Sequence, residues 1–128
     1  MSRTIINTPH APAPVGPYNQ AILHNGVLYV SGQIALDPAT GELRTGDIET
    51  ETRLVLDNLG AILQAAGTDY ANVLKCSVFV SDIENFGRIN AVYSTYFAED
   101  TAPARELVEV ANLPKYVNVE ISCIAAVG

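Results

Sequence analysis

The stretch from residue 47 to residue 80 decides the fold, and it reads DIETETRLVLDNLGAILQAAGTDYANVLKCSVFV. Apolar residues in its first part recur at steps of three and four, which is the period of an amphipathic helix. The core-facing stripe consists of Ile48, Thr52, Val55, Leu59, Ile62 and Ala66. The stretch ends in the run Val73 to Val80, whose β-branched and apolar residues predict a strand.

Both ends of this helix carry residues that are typical of helix termini. Asp47 is the predicted N-cap, and Glu49 and Glu51 favour the positive end of the helix dipole. Gly67 is the expected stop, because glycine readily adopts the left-handed conformation that ends many helices. We therefore predict a helix from about Asp47 to Ala66.

The residues before this helix predict a β-hairpin. Ala21 to His24 and Val27 to Val30 are strand-like runs, and the Asn25-Gly26 pair between them suits a tight type I′ turn. Thr4 to Ile6 is a candidate for a short first strand. Four prolines and a glycine from Pro9 to Pro17 exclude regular structure there and predict a loop.

The residues after the strand at 73–80 predict one more helix and two more strands. The helix starts near Ser81 or Asp82, and Ser81 with Glu84 three residues later fits a capping box. Its stripe consists of Phe86, Ile89, Asn90, Tyr93 and Phe97. The strands run from Arg105 to Val110 and from Val117 to Val127, with Pro114 and Lys115 in the turn between them.

The predicted order is three strands, a helix, a strand, a helix and two strands. This is an α+β arrangement, in which a single mixed β-sheet has two helices packed on one face. The last strand carries apolar residues on both faces, since Cys123 and Ala125 point one way while Ile124 and Ala126 point the other. Two helices cover only one face of a sheet, so we expect subunits to associate through the second face.

Length and composition indicate one domain over residues 1–128, with enough apolar residues, 48%, for a real core. No apolar run is long enough to span a bilayer, and residues 1–4 lack the apolar stretch of a secretory signal, so a cytoplasmic location is expected. Cys76 and Cys123 are therefore expected to be buried thiols rather than a disulfide.

The charge balance bears on the partners of the chain. Fourteen acidic residues against seven basic ones give a net charge of −7, and the bases are scattered. Binding to nucleic acid or to an anionic membrane is disfavoured, because both need a basic surface. One focused arginine could still hold an anionic metabolite.

Several familiar kinds of site are not supported by the sequence. His10 and His24 are the only histidines, and neither has a metal-like spacing with acids or cysteines. The glycine-rich phosphate-binding and dinucleotide-binding motifs are missing. Ser31 lies in Val30-Ser31-Gly32-Gln33, which is not a nucleophile elbow.

Arg105 is the first candidate for chemistry, because it opens a strand directly after Pro103-Ala104. The period of two places Arg105, Leu107 and Glu109 on one face of that strand. A planar guanidinium matches a carboxylate or a phosphate with two parallel hydrogen bonds. The alternative is an ordinary surface arginine that pairs with Glu106 or Glu109.

Glu120, Asn90 and Tyr18 are the other candidates. Glu120 is a carboxylate in the middle of an apolar strand, so it is either a solvated outward acid or a general acid or base whose pKa burial has raised. Asn90 would be a buried amide that needs partners. Tyr18 leaves a loop to enter a strand, where it either lines a pocket or only packs.

Taken together, the chain resembles the reactive-intermediate deaminase family (RidA, formerly YjgF) over essentially its whole length. The matching segments are Gly16-Pro17-Tyr18, Ser31-Gly32-Gln33, Asp57-Asn58, Asn90, Pro103-Ala104-Arg105 and Val119-Glu120-Ile121. Any one of these is a weak signal, whereas all of them in order and at matching separations are a strong one.

The resemblance implies a chorismate-mutase-like fold and a homotrimer with sites in the clefts between subunits. It implies hydrolysis of small 2-imino or 2-enamino acids to 2-keto acids and ammonia, without a metal or an organic cofactor. In that scheme Arg105 binds the substrate carboxylate and Glu120 holds or activates the attacking water. The residues that would shape the pocket are Tyr18, Ser31, Gly32, Asn90 and Leu107.

Two positions depart from the family pattern. Leu107 stands where many members have a cysteine, and Glu106 stands where the residue is usually small or apolar. Leu107 can substitute if the cysteine contributes through its backbone, but not if its thiol matters. Glu106 points to the opposite strand face from Arg105, so it need not neutralise the guanidinium, although substrate preference could differ.

Two other functions are compatible with the same residues. In the first, the chain is a non-catalytic binding protein whose cleft senses a 2-keto acid or a short fatty acid and regulates a partner enzyme. In the second, it is an endoribonuclease or translation inhibitor, which the acidic balance and the lack of a histidine pair disfavour.

Overall fold

The computed structural model describes residues 2–128, so Met1, the first residue of the N-terminal stretch considered above, lies outside it. The described residues form six strands and two α-helices. In chain order these are β1 (Thr4–Ile6), β2 (Ala21–His24), β3 (Val27–Gln33), α1 (Ile48–Ala65), β4 (Val73–Val80), α2 (Phe86–Tyr93), β5 (Ala104–Glu109) and β6 (Val119–Ala126). Short 3₁₀ turns cover Tyr70–Asn72, Ile83–Asn85 and Pro114–Tyr116.

The strands form one sheet in the order β1-β2-β3-β6-β4-β5. The β4–β5 pair is parallel, and the other four pairs are antiparallel. A parallel pair needs a crossover connection, and here that connection contains α2. The predicted fold class, a single mixed sheet with two helices, is confirmed.

The core lies between the helices and one face of the sheet. In β6 every odd-numbered residue from Val119 to Ala125 is buried, while the even-numbered residues between them are partly exposed. The helix α1 buries Ile48, Val55, Leu59 and Ile62 from the predicted stripe. Asp47 caps this helix as predicted, because its Oδ1 accepts a hydrogen bond from the Thr50 N–H at 2.8 Å.

The second face of the sheet has no helix over it within residues 2–128. Tyr29 on β3 is 49% exposed and Val108 on β5 is 43% exposed, and both side chains belong to this face. Apolar side chains left in this way are the feature from which we expected association between subunits.

Strand β3 is longer than predicted, because it continues through Ser31 and Gly32 to Gln33. Val30 is opposite Cys123 and Gln33 is opposite Ile121, so two residues of β3 face one residue of β6. This is a β-bulge, which bends a strand and redirects its side chains. The bulge breaks the period of two, which explains why the periodicity predicted an end at Val30.

Two predictions about α2 are wrong. The capping box of Ser81 and Glu84 does not form, because Asp82 Oδ1 accepts the Glu84 N–H at 2.9 Å while Ser81 Oγ donates to Asn118 Oδ1. An Asx turn at Asp82 competes for the same donor. Asp82 caps the 3₁₀ turn Ile83–Asn85, which leads directly into the α-helix at Phe86, so helical structure does begin after Asp82 as predicted. Phe86 is 44% exposed and lies outside the core stripe.

None of the helices in the described part of the chain combines the length and the hydrophobicity needed to cross a membrane.

Candidate functional site

Arg105 lies at the outer strand of the sheet, on the face that the helices cover. Its register partner on β4 is Cys76, which is fully buried under those helices. The Arg105 Nη1 donates to Asn90 Oδ1 of α2 at 2.7 Å. The guanidinium carbon is 4.8 Å from the ring centroid of Tyr93 and 5.8 Å from that of Phe86. We call Arg105, Asn90, Tyr93 and Phe86 the Arg105 cluster.

The guanidinium in this cluster is not neutralised by a carboxylate. The interpretation of Arg105 as a surface arginine paired with Glu106 or Glu109 is wrong, since both acids have other partners. Glu106 lies on the other strand face, where it accepts from Ser77 and pairs with Lys75 at 3.0 Å. Glu109 accepts the Ile83 N–H at 2.8 Å. Among residues 2–128, Arg105 has no salt bridge.

Asn90 and Leu107 are the predicted pocket residues that lie beside Arg105. Asn90 projects from α2 and orients the guanidinium; its amide is partly rather than fully buried, and its oxygen has Arg105 as a partner. Leu107 follows Arg105 on the same strand face and packs against the core. It carries no polar group, so only its backbone is available for hydrogen bonds to a ligand.

Glu120 lies in a different place, at one end of a cavity of about 130 Å³. The cavity is lined by Pro12, Ala13, Val15, Tyr18, Gln20, Gly32, Gln33, Ile34, Leu36, Pro114, Lys115 and Glu120. The Glu120 side chain is half-buried, and the loss of water around it raises the pKa of its carboxyl group above the ordinary value. A carboxyl group with a raised pKa holds its proton more tightly than an ordinary glutamate, which suits a general acid or base. We call this the Glu120 cavity.

Gly32 is required for this placement of Glu120. A Cβ atom at position 32 would lie 2.8 Å from Glu120 Oε2 and 2.9 Å from Cδ, closer than real Cβ contacts allow. The bulge of β3 and the missing side chain together leave room for the carboxylate to lie over the backbone.

Tyr18 and Ser31 lie on the same side of the molecule as the Glu120 cavity. Tyr18 lines the cavity and is about half exposed, as expected for a loop aromatic that forms a pocket wall. Ser31 Oγ donates to the Asn19 carbonyl at 2.7 Å, so its hydroxyl fixes the loop that leads into β2. Ser31 does not line the cavity.

The two groups of predicted site residues are separated by the sheet. On β4, Cys76 is the partner of Arg105 and Phe79 is the partner of Glu120, and residues three apart on a strand point to opposite faces. Arg105, Asn90 and Leu107 do not line the cavity that contains Glu120. Within one chain, therefore, the carboxylate-binding candidate and the proton-transfer candidate do not meet.

The analysis of the sequence missed three buried polar residues that hold the walls of the Glu120 cavity. Gln20 Nε2 donates to the carbonyls of Thr8 and Pro12 at 3.0 and 2.9 Å, and its Oε1 accepts the Thr8 N–H. Asn58 Nδ2 donates to the carbonyls of Ile34 and Leu36. Asn58 was noted only as part of a family-like segment.

Glu51 is the third of these residues, and it is fully buried. Sequence analysis assigned it only to the helix dipole, although its position three residues after Ile48 places it at the edge of the core-facing stripe. That position was the available signal for burial. Its partners, Asn118 and Val119, are 67 and 68 residues away, and no local pattern indicates them.

The cysteines are free, buried thiols that lie opposite each other on β4 and β6. Burial raises the pKa of both, that of Cys123 to about 12, so neither is a reactive thiolate at neutral pH. Across residues 2–128 there is no group of three or more His, Cys, Asp or Glu side chains arranged to hold a metal ion.

Comparison with known proteins agrees with the fold and with the family resemblance. Residues 8–127 match the family model described as Endoribonuclease L-PSP. A RutC family protein of Synechocystis is 56% identical over 126 residues, which cover 98% of this chain and 97% of that protein. The 2-iminobutanoate/2-iminopropanoate deaminase of Rattus norvegicus is 47% identical, with coverage of 98% and 91%.

Among solved structures, E. coli TdcF with bound serine has a TM-score of 0.92 and 41% identity, and the match covers 98% of this chain and 99% of that one. A family match over most of the chain and relatives at this level of identity establish membership. The chain therefore belongs to the YjgF or reactive-intermediate deaminase family, whose model carries the description Endoribonuclease L-PSP.

Proposed function

We propose that this protein hydrolyses small 2-imino acids and their 2-enamino tautomers to 2-keto acids and ammonia. The observation that carries the proposal is the Arg105 guanidinium, which is held by Asn90 and flanked by two aromatic rings but has no carboxylate partner. A cation fixed in this way and left without a counter-ion is suited to bind a small carboxylate.

The arrangement around Arg105 favours binding of an acid over binding of water. One Nη1 hydrogen bond goes to Asn90, and the remaining N–H groups of the fork can donate to two carboxylate oxygens. The Tyr93 and Phe86 rings flank the guanidinium and limit its movement, so less freedom is lost when the ligand binds. The deaminase of Rattus norvegicus acts on small imino acids, and E. coli TdcF binds serine. Both ligands carry the carboxylate that this site would hold.

The hydrolysis itself needs little from the protein beyond orientation and one proton carrier. A protonated imine is already electrophilic at C2, so a water molecule held by Glu120 can attack that carbon while its proton passes to the carboxylate. Glu120 then returns the proton to the nitrogen. The C–N bond then breaks as the hydroxyl proton passes back to the Glu120 carboxylate, which releases ammonia and the 2-keto acid. Glu120 gives this last proton to the departing ammonia and is ready for the next water molecule. No covalent intermediate with the protein is required.

We further propose that the two halves of the site come from two copies of the chain, Arg105 from one and Glu120 from its neighbour, in a homotrimer. Three facts support this. The halves lie on opposite faces of the sheet, the face on the Glu120 side carries apolar residues without a cover in the described chain, and family resemblance implies clefts between subunits. A cyclic arrangement with three equivalent interfaces would give three such sites.

The test is a complementation assay with 2-iminopropanoate as substrate. The Arg105→Ala and Glu120→Ala variants are each expected to lose activity. When they are unfolded together in equal amounts and refolded, about a quarter of the clefts should contain both intact residues if chains assort at random in a closed ring. Recovery to about a quarter of wild-type turnover supports the shared site. Each variant refolded alone is the control.

Other outcomes reject specific parts of the proposal. No recovery, although each variant exchanges subunits with wild type, would reject the site between copies. A wild-type protein that binds pyruvate without accelerating imine hydrolysis would reject the enzyme and support the binding-protein function. RNA cleavage that survives rigorous purification and disappears in Arg105→Ala would support the ribonuclease function instead.

A further inference from the structure

The backbone that leads into Glu120 is unusual in its conformation. Lys115 and Tyr116 both have φ of +55°, in the left-handed region that residues with a side chain rarely adopt. Two such residues in succession persist only where the surroundings fix them. Lys115 lines the Glu120 cavity, and Glu120 follows four residues after Tyr116. The strained turn is therefore part of the cavity wall.

The Glu51 carboxylate fixes the chain directly after this turn. Its Oε2 accepts the backbone N–H groups of Asn118 at 2.7 Å and of Val119 at 3.2 Å, and its Oε1 accepts Asn118 Nδ2 at 2.8 Å. Glu51 is fully buried, so water does not compete for these hydrogen bonds. Hydrogen bonds to a buried carboxylate are about twice as strong as those between neutral groups.

Asn118 connects this carboxylate to a third element of the fold. Its backbone carbonyl accepts the Ser81 N–H at 3.1 Å, and its side-chain Oδ1 accepts Ser81 Oγ at 3.3 Å. The first turn of α1, the end of β4 and the start of β6 therefore meet at one side chain. Glu120 is the second residue after this junction, so its position depends directly on it.

We propose that Glu51 is a positioning residue for the reaction: through Asn118 and Val119 it fixes the backbone of Glu120 and holds the strained Lys115–Tyr116 turn in the cavity wall. This inference rests on the proposed function for its kinetic readout. Glu51 itself does not touch the substrate. It binds the strand from the helix-covered side, whereas the Glu120 side chain points to the other face.

The chemistry of the junction provides a matched pair of variants. In Glu51→Gln, one amide oxygen can still accept both backbone N–H groups. The Asn118 amide can turn over, so that its oxygen accepts the new Nε2 donor and its nitrogen donates to Ser81 Oγ. In Glu51→Leu, the size is similar, but all three donors lose their acceptor.

The experiment measures kcat and KM for 2-iminopropanoate in both variants, at a temperature below both melting transitions. Glu51→Leu should lose roughly 100-fold in kcat, the size expected when a catalytic group moves by about 1 Å. Its KM and its affinity for pyruvate should stay close to wild type, because Arg105 is held separately by α2. Glu51→Gln should restore most of kcat. In a Glu120→Ala background, Glu51→Leu should cause no further loss of kcat.

A second measurement does not depend on activity. The Glu120 carboxyl group is followed by carbon NMR during a pH titration, and hydrogen exchange reports on the Val119 amide. Glu51→Leu should move the Glu120 titration toward that of a free carboxyl group and expose the Val119 amide, whereas Glu51→Gln should do neither. If Glu51→Leu does not fold, Asn118→Ala, which removes one of the three hydrogen bonds, should show a smaller change of the same kind.

The possible failures can be distinguished. A Glu51→Leu protein that melts earlier but keeps wild-type kcat and the Glu120 titration would show that Glu51 only stabilises the fold, which overturns the inference. A wild-type protein without deaminase activity overturns the proposed function instead. In that case the Glu120 titration and the Val119 exchange still decide whether Glu51 positions Glu120.

Discussion

The Arg105 cluster and the Glu120 cavity are built in different ways. Arg105 projects from a regular strand onto a regular helix, and its contacts with Asn90, Tyr93 and Phe86 are all side-chain contacts. The walls of the Glu120 cavity are mostly irregular backbone, namely a proline-rich loop, a β-bulge and a left-handed turn. The Arg105 cluster is thus complete between one strand and one helix, whereas the Glu120 cavity depends on the side chains that fix its loops.

Each wall segment of the Glu120 cavity is fixed by a buried polar side chain. Gln20 binds the loop at Thr8 and Pro12, Asn58 binds the segment at Ile34 and Leu36, and Glu51 binds the start of β6. Irregular backbone cannot satisfy its own polar groups, so these side chains take the place of ladder hydrogen bonds. Ligand binding and turnover should therefore respond to different sets of substitutions.

The largest effect is expected at Arg105 itself. Arg105→Ala should lower kcat/KM by roughly 1,000-fold or more, because one partner of a desolvated charge-assisted pair is removed. Arg105→Lys keeps the charge but not the fork, so it should recover only part of this loss. The check is steady-state kinetics together with calorimetric titration of pyruvate. Unchanged pyruvate affinity in Arg105→Ala would show that the ligand carboxylate binds elsewhere. The Arg105 cluster would then not be the binding half of the site.

A smaller effect, confined to turnover, is expected at Gly32. Gly32→Ala should lower kcat by roughly 100-fold while pyruvate affinity stays near wild type, because the new Cβ displaces the Glu120 carboxylate. Gly87→Ala is the matched control on α2, where an added Cβ meets no atom within 4 Å. It should leave kcat unchanged and stabilise the helix by about 0.5–1 kcal/mol. A Gly32→Ala protein with normal kcat would show that the position of the Glu120 carboxylate does not matter for the reaction.

The pH dependence should distinguish the halves further. If Glu120 acts as the base, kcat falls as the pH drops through its raised pKa, above the ordinary range of a glutamate. Affinity for pyruvate should show no such limb over the same range, because the proposed binding group is a guanidinium rather than a carboxyl group. The measurement is a kcat–pH profile beside a pyruvate titration. If the Glu120→Gln variant shows the same fall of kcat at low pH, that fall belongs to another titrating group.

The stability of the fold should also depend on the ionisation of Glu120, and the direction of this dependence is defined. A carboxyl group whose pKa is raised by folding favours the folded state most at low pH, and it loses that contribution as the pH rises through the raised value. Glu120→Gln should therefore melt at a higher temperature than wild type at pH 7, and the difference should shrink toward pH 4. Scanning calorimetry at several pH values provides the comparison.

The smallest effect is expected at Tyr93, within the Arg105 cluster. Its hydroxyl is buried, with only the weakly hydrogen-bonding Cys76 thiol beside it and no oxygen or nitrogen partner in the described chain, while its ring lies against Arg105. Tyr93→Phe should change the free energy of unfolding by less than about 0.5 kcal/mol or raise it, and should leave pyruvate affinity unchanged. Tyr70→Phe is the control, since the Tyr70 hydroxyl donates to the Leu56 carbonyl at 2.7 Å. That variant should lose about 1 kcal/mol, measured by urea denaturation.

The regular parts of the molecule were predictable from the sequence. The stripe of α1, the Asn25-Gly26 hairpin and the paired strands follow from local periodicity, and so does the common face of Arg105 and Leu107. The end of β3 and the capping box of Ser81 and Glu84 were wrong, because a bulge interrupts the period of the strand and an Asx turn at Asp82 replaces the box.

The state of the candidate site was less predictable, because it depends on residues far apart in the chain. The sequence alone does not show that Glu106 binds Ser77 and Lys75 and thereby leaves Arg105 without a counter-ion. Nothing in the sequence next to Glu51 and Gln20 distinguishes them from other polar residues, because the segments that they bind are distant in the chain. Pairings across strands and across loops of 12 to 68 residues leave no periodic trace.

The parallel pair of β4 and β5 also affects the order in which parts of the protein fold. Arg105 and Asn90 are 15 residues apart, whereas Glu51 and Asn118 are separated by 67. Closing the shorter loop loses less chain entropy, by about 1.3 kcal/mol for these lengths. A chain emerging from the ribosome can therefore complete the Arg105 cluster from residues 73–109 while the Glu120 cavity still awaits β6. Pulse-labelled hydrogen exchange during refolding should show that sequence of protection.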